Sequence, residues 1–74
     1  MALWDVYRYR GDYPGKPVAW LRIEGPNNTQ WVEERAKATC LPEDEARQIA
    51  SDWTDYLEGK GYGQKAAARH RPGT

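Results

Sequence analysis

Seventy-four residues with eleven basic and eleven acidic side chains make one domain of zero formal charge, too short for a second core and without the positive balance usual in nucleic-acid binders. The single cysteine (Cys40) and single histidine (His70) exclude an intramolecular disulfide and a Cys/His zinc site on ligand count, so no metal and no cofactor is expected. No apolar run is long enough to span a bilayer, and with a lone thiol and no signal-like leader the expected location is the cytoplasm, away from membranes.

Residues 3–10 mix aromatic and β-branched types and read as a first strand. Gly11 to Pro17 reads as a turn centred on Pro14-Gly15, with proline presetting φ and glycine taking the positive φ of a type II turn. Val18 to Glu24 is the second strand, Gly25-Pro26-Asn27-Asn28 a second turn, and Gln30 to about Thr39 the third strand. Within that third segment Glu33 to Ala38 also contains good helix formers, so a helical start there is the alternative. Short connections favour an antiparallel meander.

The helix has the clearest pattern. Pro42 suits a first turn, and Glu43, Asp44 and Glu45 place negative charge at the positive end of the helix dipole. Ala46, Ile49, Ala50, Trp53 and Leu57 recur at helical spacing, while Arg47, Asp52, Asp55 and Glu58 take the other face. Gly59 is a natural stop. From Gln64 onward no apolar face is offered for burial, which predicts a flexible basic tail, or at most a short helical extension through the alanines. The fold class is therefore α+β: residues 1–63 form one β-β-β-α domain, a three-stranded antiparallel meander on one C-terminal helix, and residues 64–74 form the tail.

Alternation assigns Leu3, Tyr7, Tyr9, Ala19, Leu21, Ile23, Val32, Ala36, Ala38 and Cys40 to the core side of the sheet. The opposite side would present Trp4, Val6, Arg8, Arg10, Val18, Trp20, Arg22, Glu24, Trp31, Glu33, Arg35 and Lys37. Five bases against two acids, with three tryptophans between them, make an unusual solvated face. Exposed aromatics interleaved with arginine mark binding surfaces for proteins and nucleic acids alike. The candidate partner-binding residues are thus Trp4, Arg8, Arg10, Trp20, Arg22, Trp31, Arg35 and Lys37. On this assignment Trp53 is core and Trp20 is surface. Charge is also segregated along the chain, since residues 42–58 hold six acids and one base, and residues 59–74 hold four bases and no acid.

No catalytic constellation is present in the pattern. Cys–His catalysis would need Cys40 beside His70, but one falls at a core position and the other in the tail. The carboxylate groups at Glu33-Glu34, Glu43-Asp44-Glu45 and Asp52/Asp55 read as solvated, without the dry pocket acid–base chemistry needs. Gly59-Lys60-Gly61-Tyr62-Gly63 follows a helix and lacks the ending of a phosphate loop. An enzyme is not expected.

The reading favoured by these residues is a non-catalytic protein-binding module, an inhibitor or adaptor, using the Trp/Arg face or an exposed sheet edge. In size, neutrality and tryptophan content the chain resembles the small accessory proteins of bacteriophages and mobile elements, anti-CRISPR proteins among them, which commonly block a host complex. The alternative is nucleic-acid binding. Over roughly residues 3–58 the element order is similar to that of the arm-binding domains of phage integrases and of plant AP2-type domains. That resemblance implies DNA reading by Arg8, Arg10, Trp20, Arg22, Arg35 and Lys37 on the sheet. The zero net charge depart from those families, as do Glu24 and Glu33 among the contacts. A third reading covers the same face with a second copy, giving a homodimer.

Overall fold

The computed structural model describes residues 2–74. The chain runs β1 (Trp4–Arg10), β2 (Tyr13–Gly25), β3 (Asn28–Val32), a 3-10 turn (Arg35–Lys37), α1 (Glu43–Lys60) and β4 (Gln64–His70). The strands form one antiparallel sheet in the order β3-β2-β1-β4, packed with α1. The α+β class and the presence of the helix match expectation, but α1 starts after Pro42, which is its N-cap, and runs through Gly59, the expected stop, to close at Gly61. The sheet gains a fourth strand among the described residues, and it comes from the segment expected to be a flexible tail.

Two glycines make this strand possible. Gly61 closes α1 in the left-handed region (φ 73°), where its N–H reaches the carbonyls of Glu58 and Leu57, and Gly63 follows with φ 68°. Both conformations are costly for any residue with a Cβ. The chain is thereby reversed, and Gln64–His70 pairs with β1 from Arg10↔Gln64 to Trp4↔His70. Alanine is a poor strand former, but Ala66 and Ala68 have little bulk and let α1 settle close to the sheet. The end is tied down as well, with Arg71 N–H donating to Leu3 O (2.8 Å) and Leu3 N–H donating to Thr74 Oγ1 (3.0 Å).

The first hairpin turns at Gly11-Asp12, earlier than Pro14-Gly15. Arg10 clamps Asp12 there through Nε–Oδ1 (3.2 Å) and Nη2–Oδ2 (3.0 Å). Residues 14–16 form a bulge between the pairs Arg10↔Tyr13 and Tyr9↔Pro17, and Gly15 does not take a positive φ. β3 is shorter than expected and gives way to the 3-10 turn, which makes use of the helix formers after Val32. The chain then wedges back between the diverging ends of β1 and β2. Thr39 N–H donates to Leu21 O (3.1 Å), Ile23 N–H donates to Thr39 Oγ1 (2.8 Å), and Trp4 and Leu41 exchange backbone bonds of 2.7 and 2.9 Å.

Register decides the faces, and it corrects the expectation for two strands. Tyr7 pairs with Trp20, Trp20 with Val32, and Leu21 with Trp31. Trp4, Val6, Leu21, Ile23 and Trp31 therefore share the helix side with Ala46, Ala50 and Ala66. Tyr7, Tyr9, Trp20 and Val32 lie on the other side, packed with Ala38 and Ala67. β2 has the expected phase, whereas β1 and β3 are reversed. In both strands each alternate set contains apolar side chains, so alternation alone does not decide between them. The core centres on Val6, Leu21 and Leu57, each at most 2% exposed and each contributing about 1.5–3 kcal/mol by burial.

Trp20 is 8% exposed while Trp53 is half-buried, the reverse of the expected order. Trp20→Ala should cost roughly 3–5 kcal/mol as a cavity in a closed site, and Trp53→Ala distinctly less. Urea unfolding followed by far-UV circular dichroism checks the order; a larger loss for Trp53→Ala would contradict the register. Truncation after Gly63 removes every β4 bond and strips Ala66 and Ala68 from the cluster of Val6, Ala46 and Ala50, so the shortened chain should lose its cooperative transition.

Candidate functional site

The eight candidate residues do not form one face. Trp4, Arg8 and Trp31 follow the helix-side phase, Trp20 and Arg22 the opposite one, Arg10 sits at the hairpin tip, and Arg35 and Lys37 are in the 3-10 turn. The expected single Trp/Arg surface is lost with the phase of β1 and β3.

Most of the cations are also engaged within the chain. Arg35 Nε donates to Asp5 Oδ2 (2.8 Å), its Nη2 donates to His70 O (2.8 Å), and its guanidinium lies 4.5 Å over Trp20. Asp5 is fully buried. Arg71 approaches the same carboxylate oxygen at 3.8 Å and donates to Arg35 O (3.0 Å) and to Cys40 Sγ. The Cys40 hydrogen bond, helped by the charge of Asp5 and opposed by burial, holds the Arg71 pKa above its ordinary value. Arg69 lies 4.7 Å over Tyr7. This side of the sheet is thus covered by the 3-10 segment and by arginines that serve the fold. Arg22 pairs with Glu24 (2.9 Å), Arg10 with Asp12, and Lys37 with Glu34 (3.8 Å). On the helix side Arg47 lies 5.0 Å over Trp4, and Arg8 lies 5.0 Å over Trp31.

What stays open is set by where the helix lies. α1 packs chiefly on β4 and β1, leaving the β2–β3 half of the same face thinly covered. A groove of about 300 Å³ results, lined by Leu21, Ile23, Pro26, Thr29, Ile49 and Trp53, with Asp52 its one charged residue. It adjoins a hollow of about 210 Å³ between Asp52, Trp53 and Tyr56. The rings form a row: Trp31 meets Trp53 edge-on at 5.2 Å, and Trp53 meets Tyr56 edge-on at 5.5 Å. A separate open hollow of about 450 Å³ lies on the hairpin bulge among Arg10, Tyr13, Lys16, Pro17 and Val18.

The two sheet edges differ. At the β4 edge Thr54 Oγ1 donates to Ala66 O (2.8 Å) and accepts from Ala66 N–H (3.0 Å), so a helix side chain satisfies the strand in mid-edge. β3 pairs with β2 alone among the described residues, and Asn28–Val32 contains no charge and no proline. Such an edge can template another strand. Neither the groove nor the edge difference was readable from the sequence. Ile49 and Trp53 showed in the helical stripe, but their partial exposure follows from the lateral position of α1, which depends on β4.

The Cys40 thiol is met by Arg71, while the His70 ring contacts Trp4 and the Thr74 carbonyl (3.1 Å). No group of three metal-ligating side chains occurs among the described residues. Among the described residues no helix is long and apolar enough to cross a membrane. The class of protein these features define is a small α+β domain with an open β3 edge beside an apolar groove. No protein-family model, curated protein or solved structure matches the chain.

Asp5→Ala leaves Arg35 and Arg71 without their shared carboxylate and should destabilise the fold by about 2–4 kcal/mol, because both partners retain some solvent. A thermodynamic cycle with Arg35→Ala checks it, and the double variant should lose clearly less than the two single losses combined.

Proposed function

We propose that this chain is a non-catalytic protein-binding module, an inhibitor or adaptor, that takes an extended segment of a partner protein along the β3 edge. The observation that carries this reading is the open, uncharged Asn28–Val32 edge lying beside the apolar groove of Ile23, Thr29, Ile49 and Trp53. Strand addition draws affinity from backbone hydrogen bonds and specificity from side chains entering an adjacent pocket. An edge with a groove next to it supplies both.

Nucleic-acid binding by the sheet arginines has less support. Arg10, Arg22 and Arg35 each pair with a carboxylate, and Arg8 sits over Trp31 with its Nε buried. Recruiting them for phosphate would require breaking contacts that already exist.

A phage-displayed library of random dodecapeptides, selected against the immobilised protein, tests the reading. Selected peptides should shift the backbone amide resonances of β3 and the side-chain resonances of Ile23 and Ile49, and Thr29→Trp, which fills the groove from its exposed rim, should abolish binding. Shifts confined to the hairpin, salt-sensitive binding of DNA or RNA oligomers in place of peptides, or a self-associated dimer that buries β3 would each refute it.

A further inference from the structure

We infer that the segment bound in the groove carries a lysine or arginine side chain that seats at Asp52, Trp53 and Tyr56; this rests on the protein-binding reading above and names the chemistry of its partner. Three independent features converge on that position.

The first is charge. Asp52 is the one charged residue lining the groove, and it lines the adjoining hollow too. Gln48 Nε2 donates to its Oδ1 at 3.0 Å, which orients the carboxylate and leaves Oδ2 free of a hydrogen bond or ion pair among the described residues. The surrounding field has the same sign, since α1 carries six acids against two bases. One of those bases, Arg47, is held by Glu43 at 2.7 Å. A cation arriving at Asp52 therefore meets negative potential over a wide approach.

The second is the aromatic geometry. Trp53 and Tyr56 meet at 84° with centroids 5.5 Å apart, so they form two perpendicular walls of the hollow. The faces of such rings attract cations, and two walls with a carboxylate make a corner suited to an ammonium or guanidinium. Tyr56 is 52% exposed, and Trp53 is half-buried, so the corner is reachable from solvent.

The third is how the chain's own cations are placed along the aromatic row. Arg8 lies 5.0 Å from the Trp31 ring and Lys60 Nζ lies 5.5 Å from the Tyr56 ring. Trp53, between those two rings, has no cation over it among the described residues and is the ring beside Asp52. The middle of the row is the vacant position. An apolar stem crossing Ile49 and Trp53 with its charged head at Asp52 would fill it, which is how long basic side chains lie on apolar surface.

The groove-dependent dodecapeptides serve as the probe, measured by fluorescence anisotropy. They should be enriched in lysine or arginine next to apolar residues. Asp52→Asn should weaken them about 5- to 10-fold, and replacing the peptide's basic residue by norleucine should weaken them by a similar factor. The two changes together should cost little more than either alone. Lys60→Ala, which removes a competing cation from Tyr56, should tighten binding. Peptides that still require the groove, as shown by Thr29→Trp, yet carry no basic residue or ignore Asp52→Asn would overturn the inference and leave the groove reading standing. Selection of no peptide that depends on Thr29 would overturn both.

Discussion

The pairing of β4 with β1 is the constraint on which the rest of the molecule depends. Seven consecutive pairs, from Arg10↔Gln64 to Trp4↔His70, make β1 a central strand and bring the end of the chain back beside its beginning. Because β4 enters directly from the end of α1, its position also determines where the helix can lie. The helix covers β4 and β1, and Thr54 reaches over to satisfy Ala66 at the outer edge. The outer edge is met at Ala66 and one half of the sheet is left open by the same arrangement. The groove is a consequence of where the core is closed.

The two sides of the sheet are covered by different means. On one side α1 supplies an apolar layer in which buried alanines are flanked by larger, partly buried side chains. On the other, a single irregular segment crosses the strands, and its contacts are part polar and part aromatic. Asp5, wholly buried, gathers Arg35 and Arg71, while Trp20 and Tyr7 each lie under a guanidinium. A buried carboxylate is expensive to desolvate and is tolerable only with such partners. In a domain that buries little surface, this cluster joins the 3-10 segment, β1 and the C-terminal end into one unit.

Arginine and tryptophan together are a common composition for a binding surface, and here they largely build the fold. Each of the three tryptophans assigned to a recognition face contacts an arginine of the same chain: Trp4 with Arg47, Trp20 with Arg35 and Trp31 with Arg8. Stacking of this kind engages the ring faces internally, although Arg8 Nε is left buried with no hydrogen-bond partner among the described residues. The surface around the groove is acidic and aromatic on the helix and uncharged on β3, unlike the basic face that composition suggested.

The sequence by itself determined the helix and its polarity, the phase of β2, the α+β class and the lack of Cys/His ligands for a zinc site. Those follow from local chemistry: acids at the helix start, glycine at its end, and the single alternation that buries Leu21 and Ile23. Tertiary structure alone decided the phase of β1 and β3, where Leu3, Tyr7 and Tyr9 compete with Trp4 and Val6 as apolar sets, and only the pairing of Tyr7 with Trp20 selects between them. It also decided that Gln64–His70 is a strand. Three alanines and four polar residues have no strand preference of their own, and what orders them is the hydrogen-bonding edge of β1 and the underside of a helix, neither of which exists until the chain has folded.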